Sequence, residues 1–407
     1  MIEISPDSDF SIHNIPFGIY SIDGGQKHVA IAYGDYILDC YLLSKLGLFD
    51  SIDIDGEVFA KPFLNDFIGL GKSVTNRVRS EIQDFLMDDK HVIWKSQNQF
   101  LFPRNNVILH LPIQIGDYTD FYSSESHARN VGMMFRDPNN ALLPNWKHLP
   151  VAYHGRASSI FVSGTNFKRP HGQIKGPDDE LPRFAATQKL DFELEMAAVI
   201  GKKSDWQVPI STEEAMDHVF GYVLFNDWSA RDIQQWETMP LGPFLGKNFF
   251  SSISPWVVTS EALEPFKIKS KSQDPTPLPY LQEKEGFQFD IDLNVHFQTK
   301  EGQSKLICRS NFSNLYWTVA QQIAHHTVNG CNLNVGDLLA SGTISGDKEG
   351  SFGSLLEITW SGKNPILFED GITRTFVEDG DTIIFEGFGK KADKRIGFGN
   401  LINTVLQ

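Results

Sequence analysis

Cysteine is scarce in this chain: three residues, Cys40, Cys308 and Cys331, in 407. They are too few and too scattered for a disulfide framework or a thiolate metal site, and they fit a reducing cytosol. Long apolar runs are missing as well, so no segment approaches the roughly 20 residues that a membrane-spanning helix needs. The opening MIEISPDSDF holds neither a basic region nor an apolar core, which predicts no secretory leader. Basic residues are outnumbered, 36 against 51 acidic, for a formal charge of -15. That excludes a nucleic-acid or anionic-membrane surface, while a local basic pocket could still accept an acidic substrate. HE-x-x-H, C-x-x-C, Walker and dinucleotide glycine signatures are absent, GTISG having the wrong spacing and flanks. What remains is a cytoplasmic globular chain with room for two domains.

Short β-branched and aromatic runs, FGIYSI, HVAIAYG and YILDCYLL, separated by Gly and Asp turns, predict a small β-rich unit in the first hundred or so residues. One helix interrupts it in KSVTNRVRSEIQDFLMD, where Val74, Val78, Ile82 and Phe85 recur at helical spacing. From about Ile115 the texture changes to loops rich in Gly, Asn and Trp between short strands, the usual setting of binding residues. We place the division at 1–115 and 116–407. A Pro-rich surface excursion, QDPTPLPYLQEKEG, precedes FQFDIDLNVHFQTK, which alternates like an antiparallel strand, so the fold is expected to be mainly β.

In LDFELEMAAVIG, Leu190, Phe192, Leu194 and Met196 alternate with Asp191, Glu193 and Glu195, the period of a strand with one apolar and one acidic face. A solvated edge is the common use of such a face. The continuation AAVI, apolar on both sides, points instead to the interior, where neighbouring carboxylates need a compensating charge. GYVLFNDWSARDIQQWE carries Asp227 at a strand end, with Ser229 placed to cap a short helix on which Arg231 and Gln234 share a face. Asp227 and Arg231 could equally form a structural ion pair. Lys247 lies among Phe244, Leu245, Phe249 and Phe250, a setting that demands acidic company, with the Ser251 hydroxyl following. His127 is the natural general base near a carboxylate cluster, and Glu357, in what reads as the strand SLLEITW, is the candidate to orient it. Four carboxylates without Cys or a zinc-spaced His pair specify a hard cation: Ca²⁺, Mg²⁺ or Mn²⁺.

Together GDYTDFYSS, MFRDPNNALLPNWKHLPVAYHGRASS, LDFELEMAAVIG, NDWSARDIQ, PLGPFLGK and ASGTISG make the chain resemble the fumarylacetoacetate hydrolase family over nearly its whole length. The resemblance implies a small SH3-like barrel followed by a larger β-roll domain, assembled as a homodimer. It implies cleavage of a carbon–carbon bond in 4-fumarylacetoacetate, a small diketo acid, in tyrosine and phenylalanine catabolism. The cation would rest on Asp120, Glu193, Glu195 and Asp227, with Lys247 and Ser251 beside it. Substrate contacts would fall on Tyr122, Arg136, Gln234 and Thr343; His127 with Glu357 would activate water; Arg231, Gln234 and Lys247 would form the oxyanion pocket. The chain departs from the pattern twice. Thr238 replaces a substrate-contacting Tyr, and Ser251 replaces a Thr whose hydroxyl it keeps. The rival readings are an acylpyruvate hydrolase or oxaloacetate decarboxylase of the same superfamily, and a non-catalytic metal-stabilised scaffold, which leaves His127, Arg231 and Lys247 without a purpose.

Overall fold

The computed structural model describes residues 2–407, except for the Asp370 side chain. It is strand-rich, as expected, but mixed α/β and not mainly β, with 29% strand and 24% helix. Strands β1 (Phe17–Ser21), β2 (His28–Tyr33) and β3 (Tyr36–Asp39) form an antiparallel meander. The run YILDCYLL then turns helical: Asp39 accepts a hydrogen bond from Leu42 N and caps α1 (Cys40–Lys45). A capping carboxylate here outweighs the β-branched texture of the run. The expected amphipathic helix is α2 (Lys72–Met87), burying Val78, Ile82 and Phe85.

Strands β4 (Tyr118–Phe121), β5 (Leu194–Ile200), β6 (Val219–Asp227), β7 (Ser251–Ile253), β8 (Trp256–Thr259) and β11 (Leu338–Ala340) belong to one thirteen-stranded sheet, which β1–β3 join through pairing of β1 with β8. The sheet of the first unit thus runs on into the second. A six-stranded sheet holds β9 (Asp292–Gln298), β10 (Ser304–Asn311), β12 (Thr382–Lys391) and β13 (Leu401–Leu406). The two-sided apolar character of β5 now has its reason. Met196, Ala198 and Ile200 face the core shared with the second sheet, whereas Ala197 and Val199 face the core shared with the N-terminal unit. The acidic stretch before it lies inside the molecule, every residue from Leu190 to Ile200 being buried.

Three short helices complete the site: α3 (Glu125–Phe135), α4 (Arg231–Glu237) and α5 (Leu355–Ile358). Ser229 does not cap α4. Its hydroxyl donates back to the Asp227 carbonyl, and Ala230 occupies the cap position. Glu357 sits on helix α5, not on a strand, because Ser354 caps the turn and the Asp191 carboxylate accepts from Leu355 N and Leu356 N.

Candidate active site

Strand register gathers the acids. β4 and β11 run parallel with Asp120 opposite Ala340, which also faces Ala197 on β5. β6 pairs with β5 so that Asn226 opposes Leu194, and its last residue, Asp227, faces Ser251 on β7. Carboxylate oxygens of Asp120, Glu193, Glu195 and Asp227 consequently lie within 4.8 Å of one another, all four residues buried. The loop after β11 closes over them at Gly342, whose φ of +75° and close approach to the Phe121 carbonyl admit no side chain. Its N–H donates to Glu195 Oε2 at 3.2 Å.

The cluster finds its basic company in two residues. Lys247 is buried and donates to Glu193 Oε2 and, at 2.7 Å, to Asp227 Oδ2, while Ser251 donates to Asp227 Oδ1 at 2.8 Å. Phe244 and Leu245, expected to surround the ammonium, instead point outward. Arg231 does not pair with Asp227. Its Nη1 donates to Glu193 Oε1 (2.8 Å) and Gln234 Oε1 (3.2 Å), and its Nε to Asp191 Oδ2 (2.8 Å). Nη2 lies 2.8 Å from that same Asp191 oxygen but at an angle that makes no hydrogen bond, leaving a buried donor without an aligned acceptor.

Five buried carboxylates, counting Asp191, therefore face two cations. Burial and the neighbouring charge of Asp227 push Asp120 well above the usual carboxylate range, and burial with Asp120, Glu193 and Asp227 does the same to Glu195. Burial also raises Asp227, against the pull of Lys247. Glu193 alone is lowered, since Lys247 and Arg231 overcome its burial. Asp120 Oδ1 and Glu195 Oε1 have no hydrogen-bond partner at all. Orphaned oxygens in an all-carboxylate pocket fit a hard divalent cation.

Beside the cluster lies a second constellation. His127 on α3 places Nδ1 at 2.7 Å from Glu357 Oε2. The glutamate also accepts from Ser345 and Ser354 hydroxyls (2.9 and 2.8 Å) and, on Oε1, from Asn130 (2.9 Å). Burial opposes ionisation of Glu357, yet His127 and these donors lower its pKa. The Tyr122 ring meets His127 edge-on, with centroids 5.2 Å apart, and burial raises its phenol. Thr343 is buried in the loop after β11. Two expected substrate contacts have committed their donors to main-chain carbonyls: Arg136, exposed, to Ala141 (2.8 and 3.2 Å), and Thr238, ending α4, to Gln234 (2.5 Å).

Sequence reasoning left several neighbours without a role. Asp191 ties Arg231 to the first turn of the helix bearing Glu357. Tyr153 donates to Asp227 Oδ2 at 3.3 Å, and Asn130, Ser345 and Ser354 fix Glu357. The position of Asn130 three residues after His127 on one helix was the available signal.

Comparison with known proteins agrees with this geometry. Residues 117–406 match the family described as "Fumarylacetoacetate (FAA) hydrolase C-terminal" and residues 13–112 match "Fumarylacetoacetase N-terminal". The chain is 50% identical to a fumarylacetoacetase of Dictyostelium discoideum, covering 100% of this chain and 97% of the relative, and 48% identical to that of Homo sapiens, covering 100% and 98%. The solved structure of a fumarylacetoacetate hydrolase from Exiguobacterium antarcticum shares the fold, with a TM-score of 0.56 at 17% identity over 96% of this chain and 99% of that one. The chain belongs to the fumarylacetoacetate hydrolase family, and it carries both the N-terminal and the C-terminal module of that family.

Proposed function

We propose that this chain is a fumarylacetoacetase, adding water across a carbon–carbon bond of 4-fumarylacetoacetate to release fumarate and acetoacetate in tyrosine and phenylalanine catabolism. The observation that carries the reading is the meeting, in one buried site, of the four-carboxylate cluster held by Lys247 and Arg231 with the His127–Glu357 pair. Glu357 accepts a hydrogen bond from His127 Nδ1–H, which leaves the lone pair on Nε2 for water. His127 takes a proton from water as its oxygen attacks the carbonyl, a contribution of about 10²–10⁴ in rate. Arg231, Gln234 and Lys247 donate to the oxyanion, each donor contributing roughly 3 to 4 kcal/mol. When the carbon–carbon bond breaks, its electron pair stays with the acetoacetate carbon, and His127 returns the proton there. Asp120, Glu193, Glu195 and Asp227, beside Lys247 and Ser251, would hold a divalent cation, Mg²⁺, Ca²⁺ or Mn²⁺, whose chemistry would be Lewis acidity toward the diketone.

Tyr122, Gln234, Thr343 and, after reorienting, Arg136 and Thr238 would surround the diketo acid. We assign 1–115 to an SH3-like unit, on the strength of the β1–β3 meander, and 116–407 to a catalytic β-roll. A homodimer in the cytoplasm is the working form we propose; among the described residues no helix is long and apolar enough to cross a membrane. The test is turnover by metal-stripped protein re-supplied with Mg²⁺, Mn²⁺ or Ca²⁺. Restored cleavage of fumarylacetoacetate supports the reading. Preference for an acylpyruvate replaces it with the related hydrolase, and inactivity toward both with every ion leaves the scaffold reading.

A further inference from the structure

Lys247 reaches the carboxylates from the loop Gly242–Gly246, and that loop has little packing to hold it. Leu241 is 96% exposed, Phe244 64% and Leu245 45%. Its side-chain restraint comes from Glu237. The Glu237 carboxylate, at the last residue of α4, accepts from three consecutive backbone amides: Phe244 N at 2.7 Å and Gly246 N at 2.8 Å on Oε1, and Leu245 N at 3.0 Å on Oε2. At the other end of the helix, Ala230 N donates to the Gly246 carbonyl at 2.8 Å. Between these ties Gly246 presses on α4 so closely that a Cβ there would stand 2.7 Å from Gln234 N. The loop is thus clamped along the helix that carries Arg231 and Gln234.

We infer that Glu237 is a positioning residue, whose three-amide clamp sets the register of Lys247 against Arg231 and Gln234 so that the donors converge on one point. The inference rests on the oxyanion role proposed for Lys247. A carboxylate accepting three amides forms charge-assisted bonds stronger than neutral ones, and none of its acceptor capacity is directed at the cluster. Its effect on chemistry passes through Lys247, and a small misplacement of a catalytic group costs rate more than binding.

The experiment is a double-mutant cycle on the full-length enzyme with fumarylacetoacetate as substrate, accompanied by amide hydrogen exchange of residues 244–246. Glu237→Ala is expected to lower kcat about tenfold with KM within about twofold, and to release the protection of the three amides. Glu237→Gln, which keeps one accepting oxygen, should recover part of the loss. In a Lys247→Met background Glu237→Ala should cost nothing further, because the group it positions is gone. Multiplicative losses in the double variant, or a wild-type kcat in Glu237→Ala beside an impaired Lys247→Met, overturn the inference alone. An undiminished kcat in Lys247→Met overturns the oxyanion reading beneath it. Should Glu237→Ala fail to fold, Glu237→Gln carries the same cycle with the same criteria.

Discussion

Glu357 and Glu195 are both buried glutamates, and the protein treats them in opposite ways. Glu357 is satisfied four times over, by His127, Asn130, Ser345 and Ser354, and its pKa falls in spite of burial. Glu195 receives one backbone amide, keeps an oxygen with no partner, and has its pKa driven up by burial and by Asp120, Glu193 and Asp227. The same functional group is in one case finished by the chain itself and in the other left for something the chain does not supply. A carboxylate with its donors in place can orient a base. One without them suits a metal ion, as proposed for Glu195.

The largest effect should come from breaking the finished half. His127→Ala removes the proposed base and is expected to lower kcat about 10²–10⁴-fold, with metal affinity by calorimetry little changed, since His127 lies outside the proposed ligand set. Equal loss of metal binding would merge the two halves and end the comparison. Breaking the unfinished half should do the reverse: Asp227→Ala takes one oxygen donor from the cluster and the 2.7 Å partner from Lys247, so the heat of Mg²⁺ or Ca²⁺ binding should disappear from the titration. Unchanged affinity in that variant would remove Asp227 from the ligand set.

A smaller effect sharpens the contrast through pH. Because the pKa of Glu357 is lowered on folding, its stabilising contribution is present above the ordinary glutamate value and is lost as pH falls through the lower folded value. Glu357→Gln has no such dependence. The Tm advantage of the wild type over Glu357→Gln, measured on metal-free protein, should therefore narrow as pH is taken from about 6 to about 3. An advantage that stays constant would mean that the hydrogen bonds hold the neutral acid equally well.

These two halves were unequally legible in the sequence. The cluster could be read because strand alternation projects Glu193 and Glu195 together and because β6 is an apolar run that ends on an acid, both local properties. The helix under Glu357 could not. SLLEITW has the β-branched and aromatic content of a strand, and it turns helical because Asp191, 164 residues away in sequence, accepts from Leu355 N. That is a tertiary contact overriding propensity. YILDCYLL is ended early by a local contact, the Asp39 cap three residues before Leu42, whereas the N-terminal meander pairs with β8 across more than two hundred residues. The role of Glu237 depends on a loop path that no periodicity encodes, and that of Tyr153 on the pairing of its short strand, Ala152–His154, with β4 opposite Asp120.

The smallest effect concerns Thr238, just after α4, where the resemblance implies a tyrosine in place of the threonine. The hydroxyl is spent inside α4 on the Gln234 carbonyl, four residues back and on the same face of the helix. A tyrosine at this position would start from that face and extend beyond the reach of the threonine, carrying a phenol toward the end of the substrate. One added hydrogen bond contributes roughly 0.5 to 1.5 kcal/mol net, so Thr238→Tyr is expected to lower KM by up to about tenfold. The bond would be made equally in the bound substrate and in the transition state, so kcat should barely move. If the neighbouring loop with Met239 and Phe244 already closes this end, the larger side chain would crowd the substrate and raise KM instead. Steady-state kinetics on the two proteins separate a space left open from a space already filled.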